Sequence, residues 1–549
     1  MAFTDRTPAK DLVKLIEKTV KSENSRFPNR PIYLVGESVG ACLALDVAAR
    51  NPNIDLALIL ANPATHVHNI MSQPLSGMLN VLPDGIPTLL EDTFGFKQGD
   101  PTLTAMLNAL VNEFAVHKIG GGMLRDLFAV SANLPTLSRI IPKDTLLWKL
   151  ELLKSAVASA NSHIHAVRAE TLILLSGRDQ WLLKEEDIDR FSQTLPNCIV
   201  RKLNDSGQFL LLEDGVDVVT IIKCKCFYRR GRSHDCISDY ITPTPFEIKQ
   251  QLDEHRFLIK ALSPVSLSTL ENGNVVRSLA GLPSEGPVLY VGYHMMLGFE
   301  LAPMFSQLLK ERNIHLRGLT HPLIFMNNKD SALDMLDSEL FDKYKIMGGA
   351  PVSNTSIYKL LRSKSHVLLY PGGVREALHR KGEEYKLFWP EQPEFVRVAA
   401  RFGAKIVPFG VVGEDDLFHI VLDSNDQRNI PILKDLMEKA TKEAGNLREG
   451  DEGELGNQDF YFPGLIPKIP GRFYYYFGKP IETAGKEQEL RDKEKAQELY
   501  LRVKSQVEQC IAYLKRKRES DPYRNLLRRM LYQASHGFSS EIPTFDLSD

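Results

Sequence analysis

Apolar positions in this chain fall into short continuous runs separated by stretches of helical periodicity. Leu12, Leu15, Ile16, Thr19 and Val20 recur at three- and four-residue spacing just after Thr7-Pro8, a cap-and-start pair, and predict an opening helix. Ile32-Tyr33-Leu34-Val35 is then a compact run ending at Gly36, a small-residue helix follows over about 39–50, and the next run, 56–60, is broken by Asn62-Pro63. Apolar runs alternating with helices predict a parallel sheet covered on both faces. Residues 65–165 are mostly helical and rich in Leu and Pro, and read as a cap inserted over that sheet, which resumes at 171–175 and 199–203. Over 236–275 the pattern weakens into Pro-containing sequence (Thr242-Pro243-Thr244-Pro245) and reads as a linker. A second α/β unit spans 276–530, with strands at Val288-Leu289-Tyr290-Val291, Val367-Leu368-Leu369-Tyr370 and Ile406-Val407-Pro408-Phe409, a charged helical stretch over 487–529, and a tail at 531–549.

Composition narrows the function. A chain of 549 residues is too long for one core and favours several domains. A net charge of −2 provides no field for nucleic acid. No apolar run reaches the ~18–20 residues of a membrane span, so a lipid substrate is met from a surface. The N-terminus carries neither a signal-peptide core nor a convincing transit peptide. Six cysteines are sparse and favour a reducing compartment. Cys224, Cys226, His234 and Cys236 begin too tightly for a zinc knuckle, and Tyr228-Arg229-Arg230-Gly231-Arg232 fills their loop with cations, so no metal is expected. The run Lys515-Arg516-Lys517-Arg518 reads as a solvated face or as a dock for anionic headgroups.

Two constellations carry chemistry. Gly36-Glu37-Ser38-Val39-Gly40 is G-x-S-x-G between a strand and a helix, the pattern of a nucleophile elbow, with the Val39 N–H as one oxyanion donor. Asp179 follows the strand 171–175 and reads equally as the acid of a triad or as a turn residue. The place of the base is held by Gln208, whose neutral amide cannot accept the serine proton. Only one helix precedes the elbow strand, so this first unit reads as N-terminally incomplete and its Ser38 chemistry as slow. The second constellation is His294, just after the strand 288–291, with Glu300 as the nearest carboxylate to orient it; a neutral imidazole suits removal of a proton from an alcohol. Downstream, Pro371-Gly372-Gly373-Val374-Arg375-Glu376-Ala377 is a glycine turn after a strand. It reads as a cradle for the phosphates of an acyl carrier or lipid headgroup, or as a structural turn.

With these residues in view, the whole chain resembles the plant phytyl ester synthases, the esterase/lipase/thioesterase-type acyltransferase-like proteins. Gly36–Gly40 is similar to α/β-hydrolases, His294 matches the histidine of the H-x4-D block of diacylglycerol acyltransferases and their glycerolipid relatives, and Pro371 to Ala377 match their second glycine-rich block. Position 299 is Phe, so Glu300 stands one residue beyond the block's carboxylate. The resemblance implies an α/β fold, a truncated α/β-hydrolase domain (1–235) followed by a glycerolipid-acyltransferase-like domain. It implies esterification of phytol or diacylglycerol with acyl groups from acyl-CoA, acyl carrier protein or galactolipid. It further implies no cofactor or metal, catalysis by His294 and Glu300, substrate binding by Pro371, Gly372, Gly373, Arg375 and Glu376, and a place in chloroplast plastoglobules. The alternative is a serine esterase, lipase or thioesterase acting through Ser38 and Asp179.

Overall fold

The structure, a computed structural model, describes residues 6–64, 143–177, 185–204, 206, 210–212, 216–325, 338–445 and 459–547. Most of the expected cap, together with Asp179 and Gln208, lies outside the described residues. The chain divides into two compact units, Met1–Val219 with Arg229–His234, and Thr220–Tyr228 with Asp235–Asp549.

The first unit holds a four-stranded parallel sheet in the order β1 (Ile32–Glu37), β2 (Leu56–Ala61), β3 (Glu170–Ser176), β4 (Cys198–Leu203). All six residues of β2 are buried, as expected for a central strand with both faces covered. The helices Ala9–Arg26, Val39–Arg50 and Lys143–His163 pack their small and aliphatic residues on it. In the basic loop after residue 228, Arg229 is buried against Asp55 and Glu170, and His234 also meets Glu170, at 2.9 Å.

The second unit is built on an eight-stranded mixed sheet, β6-β5-β14-β11-β7-β10-β8-β9, beside a two-stranded ribbon of β12 (Phe418–Leu422) and β13 (Gly464–Pro467). Three neighbouring parallel strands form its centre: β11 (Lys405–Val412), β7 (Val288–Gly292) and β10 (His366–Leu369). Every residue of β7 is buried, which is what its unbroken apolar run demands. On one side of this centre lie β8 (Leu316–Thr320) and β9 (Ala350–Pro351). On the other, β14 (Tyr474–Phe477) runs antiparallel to β11 and is followed by β5 (Val265–Thr269) and β6 (Val275–Val276).

Three segments do more than their local pattern suggests. The stretch 236–275, read as a linker, contributes the helices Pro245–Glu254 and Arg256–Leu262 and the fully buried strand β5. Its Thr-Pro pairs are a helix start: Thr244 and Glu247 close a reciprocal capping box with Pro245 in the first turn. The tail beyond 530 places Phe545 in the core, against the Tyr474 ring, and Thr544 donates to Asp521 at 2.7 Å. The cationic run at 515–518 is a solvated face only in its first half, where Lys515 and Arg516 are exposed. Arg518 pairs with Asp415, and Lys517 donates to the Asp546 carbonyl at 2.9 Å; both side chains are buried.

At the elbow of the first unit, a Cβ on Gly36 would lie 2.4 Å from the Gly40 carbonyl oxygen, whereas one on Gly40 would meet nothing within 4 Å. Gly36→Ala should therefore lower stability by about 1–3 kcal/mol. Gly40→Ala, near the start of a helix, should leave it unchanged or raise it by up to ~1 kcal/mol. Thermal melts of the two variants, which should differ in the sign or size of the midpoint shift, check this.

Candidate active site

The C-terminal ends of the three central strands deliver the candidate residues side by side. His294 follows β7, Tyr370 and the glycine block follow β10, and Glu414 follows β11. Open parallel sheets bind ligands at this edge because the crossovers leave it open between loops.

His294 and Glu300 come together. The imidazole Nδ1 lies 3.0 Å from the Met295 carbonyl and 3.2 Å from Glu300 Oε1. Both neighbours are acceptors, so Nδ1 carries the hydrogen and Nε2 keeps its lone pair. Nε2 makes no hydrogen bond among the described residues, and the side chain keeps 18% of its exposure while Glu300 keeps none. The extra residue between the two is absorbed by a tight turn, with Leu297 and Gly298 at φ of 51° and 73°. Two left-handed residues in succession reverse the chain, so that a carboxylate six positions on returns to the ring. A Cβ on Gly298 would press within 2.8 Å of Leu301 Cδ1 and 3.4 Å of the His294 ring.

The loop carrying the ring is gripped by two more carboxylates. Glu376 accepts from the His294 backbone N–H at 3.1 Å and from Phe388 N–H at 2.9 Å. Glu414 accepts from the Tyr293 hydroxyl at 2.6 Å and from Met296 N–H at 2.9 Å. Like Glu300, both are fully buried. Tyr370 stacks on the imidazole with ring centroids 4.2 Å apart, and the Tyr475 hydroxyl donates to the Glu300 backbone carbonyl at 2.8 Å.

The glycine block is engaged in this scaffold. A Cβ on Gly372 would fall 2.0 Å from the Glu376 carboxyl carbon, so only glycine lets that side chain reach back to His294. Gly373, at φ 53°, donates its N–H to Tyr370. Arg375, expected as a fixed charge for substrate, is buried in a two-point pair with Glu383, both bonds 2.8 Å, and lies over the Phe388 ring. The turn is thus a bracket for the histidine loop, and Pro371 leads into it after Tyr370.

Charges within this cluster set its titration. Burial opposes protonation of His294, but the charge and proximity of Glu300, with Glu376 behind, prevail and raise the imidazole above its usual value. Burial, followed by the neighbouring Glu300 and Asp415 charges, pushes the Glu414 carboxyl up to about 8 against its two hydrogen bonds. Burial and the Glu300 charge hold the Tyr370 and Tyr475 phenols well above their ordinary value, so both stay neutral donors.

From sequence, the stretch ending in Glu414-Asp415-Asp416 reads as scaffold rather than chemistry, and the hold of Glu414 on the histidine loop is not singled out. Asp415 binds Arg518 and the Tyr385 hydroxyl, and Asp416 binds Arg524, fixing the segment on which Glu414 stands.

In the first unit Ser38 occupies the elbow at φ 53°, ψ −111°, between β1 and the Val39–Arg50 helix. The Val39 N–H sits at the first helical position, where no intrahelical acceptor exists. Asp179 and Gln208 are not among the described residues, so no triad is traced around Ser38. In the second unit, the neighbouring Cys236 thiol and burial hold the Cys226 thiol above its ordinary range.

Comparison with known proteins agrees with this division. Residues 6–203 match the family profile "Serine aminopeptidase, S33" and residues 335–445 match "Diacylglycerol acyltransferase"; the second span includes the glycine block, with His294 upstream of it. A hydrolase-type unit followed by an acyltransferase-type unit defines a two-domain O-acyltransferase. The chain is 80% identical over 549 residues to phytyl ester synthase 2, chloroplastic, of Arabidopsis thaliana, covering 99% of this chain and 78% of that protein. It is 48% identical over 548 residues to phytyl ester synthase 1, chloroplastic, of the same plant, covering 99% and 77%. The chain therefore belongs to the phytyl ester synthase family. Among solved structures, an α/β hydrolase from a Medee basin deep-sea metagenome library aligns at 17% identity and a TM-score of 0.24, over 38% of this chain and 69% of its own.

Both raised groups have the same sign of linkage. Above pH ~4.5 the folded state holds the Glu414 proton that the unfolded state has lost, so stability falls as pH rises toward about 8. His294 likewise stabilises fully below its unfolded value and loses that contribution as pH passes its raised one. Glu414→Gln should flatten the decline of stability between pH 5 and 8 by up to ~1.4 kcal/mol per pH unit, measured by denaturant unfolding across that range. An unchanged slope would show Glu414 ionised throughout.

Proposed function

We propose that this acyltransferase joins a fatty acyl group to the hydroxyl of a lipid alcohol, phytol or diacylglycerol, with His294 as general base. Acyl-CoA or acyl carrier protein supplies the acyl group as a thioester, or galactolipid supplies it as an ester, and no metal or prosthetic group takes part. The observation that carries this reading is the imidazole itself, with Nδ1 occupied by the Met295 carbonyl and Glu300 while Nε2 is left with its lone pair and partial exposure.

Nε2 takes the hydroxyl proton as the alcohol oxygen bonds to the acyl carbonyl carbon. The imidazolium formed is stabilised by the Glu300 carboxylate 3.2 Å away. As the tetrahedral intermediate collapses, the carbon–sulfur bond breaks and the proton on Nε2 passes to the departing thiolate. The ester leaves and the imidazole is neutral again. With a galactolipid donor, the departing alkoxide takes the same proton. Glu376 and Glu414 hold the loop, and so the ring, through the backbone N–H groups of His294 and Met296. The chloroplastic relatives from Arabidopsis support a chloroplast setting, and within it the apolar ester product points this reading to the plastoglobule surface.

A second reading is favoured by one observation, the left-handed Ser38 at a tight elbow: a serine esterase, lipase or thioesterase step in the first unit. Labelling by a fluorophosphonate probe tests it. Weak labelling that increases in Gln208→His is the expected result, and strong labelling of the unaltered chain would revive Ser38 as the principal nucleophile.

Incubation with acyl-CoA and phytol, read by mass spectrometry, should give ester at a rate that falls at least ~100-fold in His294→Ala. Because the base must be neutral, the acid limb of kcat/KM should lie above pH ~6.5 and move down in Glu300→Gln, with kcat reduced. Full activity in His294→Ala would remove the base from this assignment.

A further inference from the structure

We infer that the outward stripe of the C-terminal helix, Leu526–His536, docks this protein on an anionic lipid surface. The helix is inverted. Leu527, Met530, Leu531 and Ala534 follow one another at three- and four-residue spacing and all face outward, with Leu531 71% exposed. Phe538, just past the helix end, is 74% exposed. The position turned inward is Arg529, whose side chain is only 1% exposed. Its guanidinium donates to the carbonyls of Ala261, Pro470 and Tyr523 at 2.6, 3.1 and 3.1 Å, and to that of Arg524.

An amphipathic helix on an aqueous surface turns its apolar stripe to the core and its charges to water. Here a buried arginine fixes the helix by capping carbonyls, and the apolar stripe is the face presented. That arrangement fits an apolar medium outside, in which a helix lies in the plane of the interface with cations at headgroup level. The cations are in place: Arg528 is exposed beside the stripe, the Lys260 ammonium stands 5.9 Å over the Phe538 ring, and Arg256 lies one turn before Lys260 on the Arg256–Leu262 helix. Ile469, exposed and next to the Pro470 whose carbonyl Arg529 binds, extends the apolar ground toward the β12–β13 ribbon. That ribbon begins beside the histidine loop, where Phe418 of β12 packs on Phe299. The charge complementarity of this rim selects an anionic bilayer over a neutral one. The inference rests on the lipid-alcohol reading for its purpose but not for its geometry.

Co-sedimentation of the full chain with phosphatidylcholine vesicles, with and without phosphatidylglycerol, tests it. Binding should favour the anionic vesicles, decline with salt, and fall at least ~10-fold in the combined Leu527→Ser, Met530→Ser, Leu531→Ser variant. Lys260→Gln with Arg528→Gln should weaken only the anionic preference, by roughly fivefold per cation. Acyl transfer to detergent-dispersed alcohol should persist in these variants, so failure of the function and failure of the dock are read separately. Leu531→Trp, a smaller change, should show a blue-shifted emission on adding anionic vesicles. Equal vesicle binding by the triple serine variant, no binding by the unaltered chain, an unshifted tryptophan, or conversion of a dimer to a monomer by the serine changes would overturn the proposal, the last by showing that a second copy covers the stripe.

Discussion

Burying three acidic side chains around one imidazole is the constraint on which the acyltransferase unit depends. A carboxyl group removed from water must recover its lost hydration from fixed donors. Glu376 recovers it from two backbone N–H groups and Glu414 from a phenol and a backbone N–H, and those donors include the N–H of His294 itself and that of Met296. Glu300 is different. Its side-chain oxygens have no well-aligned hydrogen-bond partner among the described residues, and its nearest cation-forming group is the ring 3.2 Å away. Two acids are satisfied at rest and hold the loop. The third is satisfied best when the ring is protonated, which is the state the proposed base would pass through.

This division explains why the site needs a whole sheet. Glu376 and Glu414 reach the loop from strands on opposite flanks of β7, so neither can be placed by the local sequence around His294. The bracket itself is held from further away. Asp415 is fixed by Arg518 of the long helix Lys493–Glu519, and that helix approaches β11 closely because Gly410 has no side chain; a Cβ there would lie 2.7 Å from Ile511 N. Of the cations at 515–518, which invite a surface reading, Arg518 belongs to the internal support of the histidine loop and Lys517 ties down the tail, while Lys515 and Arg516 stay exposed.

What could be read from the chain follows from how far each interaction reaches. The strand–histidine–helix order around His294, the elbow at Ser38 and the alternation of apolar runs with helices are local patterns, and all three appear where the periodicity put them. The Glu300 partnership was legible as proximity, although its geometry depends on Leu297 taking a left-handed conformation that no propensity rule assigns to leucine. The block at 371–377 was recognisable, but its work was not. A glycine that yields to ligand and a glycine that yields to a neighbouring Glu376 side chain leave the same mark in sequence. The incorporation of 265–269 into the main sheet and of Phe545 into its core depends on pairings distant in sequence, which period and composition do not encode.

The two units solve one stereochemical problem in different ways. Each must raise a reactive side chain at the end of a parallel strand, where the chain would otherwise run straight into its crossover. In the first, Ser38 itself adopts the left-handed conformation, and Gly36 clears the space beneath it. In the second, the strain is displaced three and four residues downstream to Leu297 and Gly298, leaving His294 itself outside the left-handed region. A nucleophile needs only to project, and a strained backbone at its own position achieves that. A base must also keep a fixed tautomer and a carboxylate behind it, which requires the following turn to curl back toward the ring. The position of the strain therefore separates the turn that presents the serine from the turn that presents the histidine, and among the described residues it is the histidine whose supporting groups are traced.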